Sequence, residues 1–364
     1  ANGSAREFVY INRKHLESYE FLNEWIDDIF GVSRIDKSVL QLFNERHPSR
    51  KGMKIPRSIS STMELKVGCN NVIFTCYRPH SIELLGADGQ VVGVNIDYRK
   101  GSFAQEIPNF SESIVMSDQK LRSIVALQTG MFAAISAERN SIILFEANKI
   151  VAKTAETDVD FATLCSDGQW LAAGGRGAIF LLFRLTDVSS PVYSIPLYRD
   201  NIRCIALSAD RGLAVCGTTD GFLFFVLLGR GSTTNCFALE SRPHRICISP
   251  GWGFVLVYST KLEKGSVKHL LTLFTSNGVK VRQREISHAV CSWSVWKSVD
   301  GFDYCVFADW RCRMFFFEVL WLEPVECRLL LDKDFMDIHY DSERKCVISV
   351  SRSGKVRIEP FDML

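Results

Sequence analysis

Hydrophobic and polar positions follow two different rhythms along this chain. Between residues 7 and 32, "EFVYINRKHLESYEFLNEWIDDIFGV", the residues Leu22, Trp25, Ile26, Ile29 and Phe30 stand at i, i+3, i+4, i+7 and i+8, the spacing of one apolar stripe on an α-helix. Gly31 follows where a helix stops. Such a stripe has to be buried against another element. Beyond about residue 60 the helical period gives way to short apolar runs separated by polar turns, the pattern of strands.

Five of the later segments line up: "VIFTCYRPHSIELLGADGQVVGVNI", "SIVALQTGMFAAISAERNSIILFEA", "FATLCSDGQWLAAGGRGAIFLLFRL", "IRCIALSADRGLAVCGTTDGFLFFVLL" and "FMDIHYDSERKCVISVSRSGKVRIEPF". Each reads as an apolar strand, a polar turn, a second strand ending in small residues, a tight turn and a third strand. The tight turns fall at Asp88-Gly89, Arg139-Asn140, Arg176-Gly177, Asp220-Gly221, Asp309-Trp310 and Ser353-Gly354. With one skipped unit allowed for, they recur about every 44 residues, a period that indicates a β-propeller with four strands per blade. Two further units, "RICISPGWGFVLVYS…KHLLTLF" and "SWSVWKSVDGFDYCVFADWRCRMFFFEV", fill the gap and bring the blades to seven. Fourth strands are supplied by "PVYSIPLY", "TNCFALE", "KVRQREI" and "ECRLLL", and the last unit has none. Because an unpaired sheet edge invites aggregation, the alternating segment "TMELKV" (62–67) is expected to complete the last blade and close the ring. The expected architecture is therefore all-β: a seven-bladed propeller over 57–364, preceded by a short helical segment within 1–56.

The units resemble WD repeats, with departures. In that family a Gly-His pair precedes the first strand and bonds to an Asp in the turn between the second and third strands. Here Asp88, Asp220 and Asp309 hold the turn position, His244 and His288 are the only histidines near the other, and no blade ends in Trp-Asp. Most blades must then rely on apolar packing. The opening words, "GS-x-x-EF…R-x-x-LES…L-x-EWID-x-IFG" followed by "QLFNERHPSR" (41–50), resemble the C-terminal end of the BEACH domain, which continues into WD repeats in this order. The spacings after residues 17–18 and after "IFG" are shorter than the family's. The resemblance implies that residues 1–56 are the tail of a BEACH domain plus linker. It also implies that Leu22, Trp25, Ile26, Ile29 and Phe30 face the rest of that domain, which this chain lacks. The alternative is a helix docked on the side of the propeller.

Composition narrows the function classes. Apolar residues are 47% and charged residues 23% of the chain, the balance of a soluble globular protein rather than a disordered one. A formal net charge of +2 gives no general reason to expect a nucleic-acid partner. The longest apolar runs, "FLFFVLL" and "AIFLLF", are strand-length, far short of a membrane helix, and "ANGSAREF" has no signal-peptide core. The cysteines are scattered, mostly in strands, with no C-x-x-C pair, as in small buried hydrophobes of a reducing compartment. A cytoplasmic location follows, with peripheral contact on endomembranes as the variant; the sequons at Asn2 and Asn109 would be unused.

The chemistry-bearing motifs are missing. No G-x-S-x-G, H-E-x-x-H or complete Walker motif occurs; "SRSGKV" has only the Gly-Lys. Asp27 and Asp28 are adjacent on the expected helix and point two ways. No catalytic residue, metal ligand or cofactor is expected. One constellation remains. Arg139, Arg176, Arg311 and Arg352 lie on turns between second and third strands, which emerge on one rim, with Trp310 beside Arg311 and Tyr198-Arg199 on the same face. Together they would focus positive potential on carboxylate or phosphate groups. Trp293 and Trp296 read as blade core. The expectation is a non-enzymatic scaffold binding acidic protein segments. If the family resemblance holds, it would act in vesicle trafficking, lysosome-related organelles or autophagy. A phosphoinositide reader using the arginine face is the alternative, and a hydrolase-type propeller the third reading.

Overall fold

Seven antiparallel sheets stand around a central axis; six are built from four strands consecutive in sequence, and the seventh combines the last three strands with two from the start of the described residues. The computed structural model describes residues 57–58, 63–69, 71–78, 81–88, 90–97, 109–115, 121–127, 131–136, 140–146, 149–154, 161–298, 301–327, 331–342 and 344–362. The stripe Leu22, Trp25, Ile26, Ile29 and Phe30 lies outside these residues, as does Arg139. The inner strands of blades 1 to 7 are Val72–Arg78, Leu121–Ala126, Phe161–Ser166, Ile202–Ser208, Arg242–Ile248, Val290–Lys297 and Phe335–Asp341. Blades 1 to 6 each carry three further strands in sequence order. Among the described residues no helix is long and apolar enough to cross a membrane.

Blade faces are sandwiched, so their middle strands are apolar on both sides. Leu213–Thr218 is buried at every position, and so is Met314–Glu318. The small residues that end the second strands have a packing reason. A Cβ on Gly174 would lie 2.8 Å from Ile202 Cδ1, and one on Gly217 2.9 Å from Pro243 Cγ. Both contacts are with the inner strand of the following blade, which could not approach a larger side chain so closely. Blades 5 and 6 pack through Leu256, Leu271, Leu273, Phe307 and Phe317, and blades 4 and 5 through Val215, Phe225, Val257 and Phe274.

The ring closes between opposite ends of the chain. Met63–Lys66 pairs antiparallel with Lys355–Ile358 of blade 7, and Arg57–Ser58 pairs with Phe361–Asp362 farther along the same strand. Glu64 sits directly opposite Arg357 and bonds it, with Lys355 Nζ 2.8 Å away. Lys355 first and then Arg357 hold the Glu64 carboxyl below the usual carboxylate range. Leu65 and Val67 join the apolar cluster shared by blades 7 and 1. On the axis, one carboxylate ties three blades: Asp337 of blade 7 accepts hydrogen bonds from Thr75 of blade 1 and Ser292 of blade 6.

Candidate functional site

Every inner strand carries a β-bulge near its start, where its pairing with the second strand skips one residue. The skipped residues are Ile73, Arg122, Ala162, Arg203, His244, Cys291 and Met336. A bulge bends its strand and re-aims a side chain, and these seven lie beside the turns between second and third strands, on one rim. Arg203, His244, Cys291 and Met336 line a central cavity of about 1190 Å³, together with Arg245, Lys333, Arg352, Trp293 and Trp310.

The turns on that rim are braced. In blade 6, the buried Asp309 carboxylate accepts the backbone N–H of Arg311 (2.9 Å) and of Arg313 (3.0 Å), and pairs with the Arg313 guanidinium at 2.6 Å. Arg313 also reaches His288 Nδ1 at 2.9 Å. The link between Asp309 and His288 thus runs through an arginine. In blades 4 and 7 the roles are exchanged: Asp200, in the loop leading into blade 4, accepts from Thr219 Oγ1 (2.6 Å), and Asp334, leading into blade 7, accepts from Ser353 N (2.9 Å). His244 takes no such part; its Nε2 is 2.6 Å from Thr260 Oγ1.

The residues expected at the site are distributed as follows. Trp310 is 77% exposed on its braced turn, and it lines the central cavity together with Arg352. Arg311 and Arg176 are exposed on their turns. Tyr198 is 88% exposed in a left-handed conformation (φ 52°). Arg199 lies over the Phe222 ring, 3.8 Å from its centroid, a cation–π contact that holds the guanidinium at the rim. Trp296 is buried, whereas Trp293 is half-buried and faces the cavity. Sequence reasoning passed over Arg203, Arg242 and Arg245, and took His244 only as a candidate for the histidine of the repeat's Gly-His pair. A signal for Arg203 exists: "LRSI" at 121–124 and "IRCI" at 202–205 place an arginine at the bulge of blades 2 and 4.

Burial pushes the His244 imidazole down to about 4, with Arg203 and Arg242 adding to the effect, and burial also lowers His269. Free histidine ionises near 6.5. The unfolded chain therefore takes up a proton before the folded one does, and stability falls as pH drops from about 6.5 toward 4. The melting temperature should decline between about pH 7 and pH 5, with a shallower slope in His244→Gln; identical slopes in the two proteins would contradict this.

Described cysteines are free thiols. Burial raises Cys204 to about 12, which keeps it protonated and unreactive. Among the described residues no cluster of His, Cys, Asp and Glu could hold a metal ion. Fold and site together define the class: a seven-bladed β-propeller with a basic, aromatic-flanked cavity mouth. No protein-family model matches this chain, and no curated protein matches it.

Proposed function

We propose that this chain is a non-enzymatic scaffold that binds acidic segments of other proteins at the rim carrying the second-to-third-strand turns. The observation that carries this reading is the position of Trp310, an exposed aromatic on a turn locked by buried Asp309, at the mouth of a cavity lined by Arg203, Arg245 and Arg352. Rigid aromatics beside guanidinium groups are the usual anchors of protein interfaces, and summed positive charge steers acidic partners. A propeller of this kind is in general a protein-interaction platform. The resemblance of "EWID-x-IFG" and "QLFNERHPSR" to the end of the BEACH domain, followed by WD-type repeats, supports the finer reading. On it, this is the C-terminal part of a cytoplasmic BEACH-family protein acting in vesicle trafficking, lysosome-related organelles or autophagy. The residues preceding Ala1 test that part: a BEACH domain there sustains it and another domain there overturns it.

The binding face is tested by replacing Arg139, Arg176, Arg311 and Arg352 together with glutamate. Arg176, Arg311 and Arg352 are exposed on their turns, where substitutions cost little stability, so the variant should melt close to the parent. Capture of acidic proteins from lysate should be abolished, and parental binding should fall steeply with salt as charges are screened beyond about 8 Å. Unchanged capture by the quadruple variant would move the interaction surface elsewhere.

A further inference from the structure

A second concavity, about 680 Å³, lies on the same rim between the Asp220-Gly221 turn of blade 4 and the Val255–Glu263/Ser266–Phe274 hairpin of blade 5. The hairpin turns at Lys264 (φ 49°) and Gly265 (φ 81°), the paired positive angles of a stiff two-residue turn. Leu262 and Val267 sit directly opposite each other near its tip, 75% and 56% exposed, and both line the groove. Alternation along the strands puts Thr260 and His269, also a directly opposed pair, on the same face. The groove's charge is lopsided. Lys261 is committed to Glu240 at 2.7 Å, which leaves Arg203 and Arg242 facing Asp220 among the lining residues, with Asp200, bonded to Thr219 behind the wall, also within the field of Arg242. Burial first, and then Arg203 and Arg242, lower the ionisation of His244 beside them. Arg203, His244, Thr260 and Val267 line both this groove and the central cavity, so the two are continuous.

We propose that this groove binds a short protein segment in which an anionic side chain, taken by Arg203 and Arg242, lies next to an apolar side chain seated on Leu262 and Val267. This rests on the reading of the rim as a protein-binding face and gives it a location and a motif. Charge complementarity selects the anion, and the exposed cross-strand pair supplies the apolar contact that an isolated charge cluster lacks. The anion is a carboxylate or a phosphomonoester; both suit a guanidinium pair.

The experiment selects a random dodecapeptide phage library on the full chain and measures the enriched peptides by fluorescence anisotropy. The proposal expects acidic residues beside apolar ones among the enriched sequences. Arg203→Glu with Arg242→Glu should weaken binding about 30-fold or more, and Leu262→Ser with Val267→Ser about tenfold. Trp252→Ala, exposed on a turn between first and second strands and so on the opposite rim, should leave binding unchanged. Replacing the acidic residue with phosphoserine names the source of the anion by which form binds more tightly. Acidic peptides weakened by Arg311→Glu with Arg352→Glu, but not by the groove variants, would overturn the groove and keep the rim. Enriched peptides without acidic residues, or no enrichment, would overturn both.

Discussion

Deleting residues 60–67 is expected to cause aggregation on mild heating and a marked loss of thermal stability. These residues contain the strand that pairs with Lys355–Ile358, and without it the third strand of blade 7 presents an open edge, the template for intermolecular pairing. The loss is not confined to backbone bonds. Val67 is buried in the cluster that joins blade 7 to blade 1, and its burial alone contributes about 1.5–3 kcal/mol. The Glu64 contacts to Arg357 and Lys355 disappear as well; being exposed, they matter less. Light scattering during a thermal ramp, with calorimetry of parent and variant, measures the effect. A variant that melts like the parent without scattering would show that the ring is sealed by something else.

Gly354→Ala should be the more damaging of two matched substitutions. Gly354 (φ 80°) and Gly177 (φ 88°) occupy equivalent turns in left-handed conformations, where a Cβ costs about 1–2 kcal/mol. At Gly177 an added Cβ meets nothing within 4 Å, whereas at Gly354 it would overlap the carbonyl oxygen of Cys69 and stand 3.0 Å from that of Val67. Backbone cannot swing aside as a side chain can. The segment 67–69 would have to shift, straining the hydrogen bond from Val67 N to Gly354 O (2.9 Å) that anchors the end of the closing strand. Gly177→Ala should therefore lower stability only by the conformational cost, and Gly354→Ala by several kcal/mol more, in the range of overpacked interiors. Equal melting temperatures for the two variants would mean that the closing segment yields freely.

Blade number was legible because each unit repeats the same local conflict between apolar strand and turn, a period the sequence carries openly. Turn chemistry was legible where glycine was required, as at Gly177, Gly221 and Gly354, all of which have positive φ. The alternation of "TMELKV" marked a strand, though only the count of outer strands said where it belonged. The unit with the long hairpin was harder to see, since nine-residue strands carry its turn beyond the common spacing.

The site was legible in part. Arginine and tryptophan in turns announce an exposed rim, because turn positions on one kind of connection share a face. The bulges do not announce themselves. A single skipped residue leaves hydrophobic composition intact and changes only which side chain faces the axis, so Arg203 reads as an ordinary strand position and His244 as a residue ahead of the strand. The sequence alone determined the strand pattern, the blade count and the basic, aromatic character of the turns, all set by local periodicity and residue type. Tertiary structure decided which charges converge. It spent Arg199 on Phe222 and Arg313 on Asp309, and brought Arg203, Arg245 and Arg352, more than a hundred residues apart at the extremes, to one cavity. Closure of a ring juxtaposes residues by angle around the axis, a relation that distance along the chain does not encode.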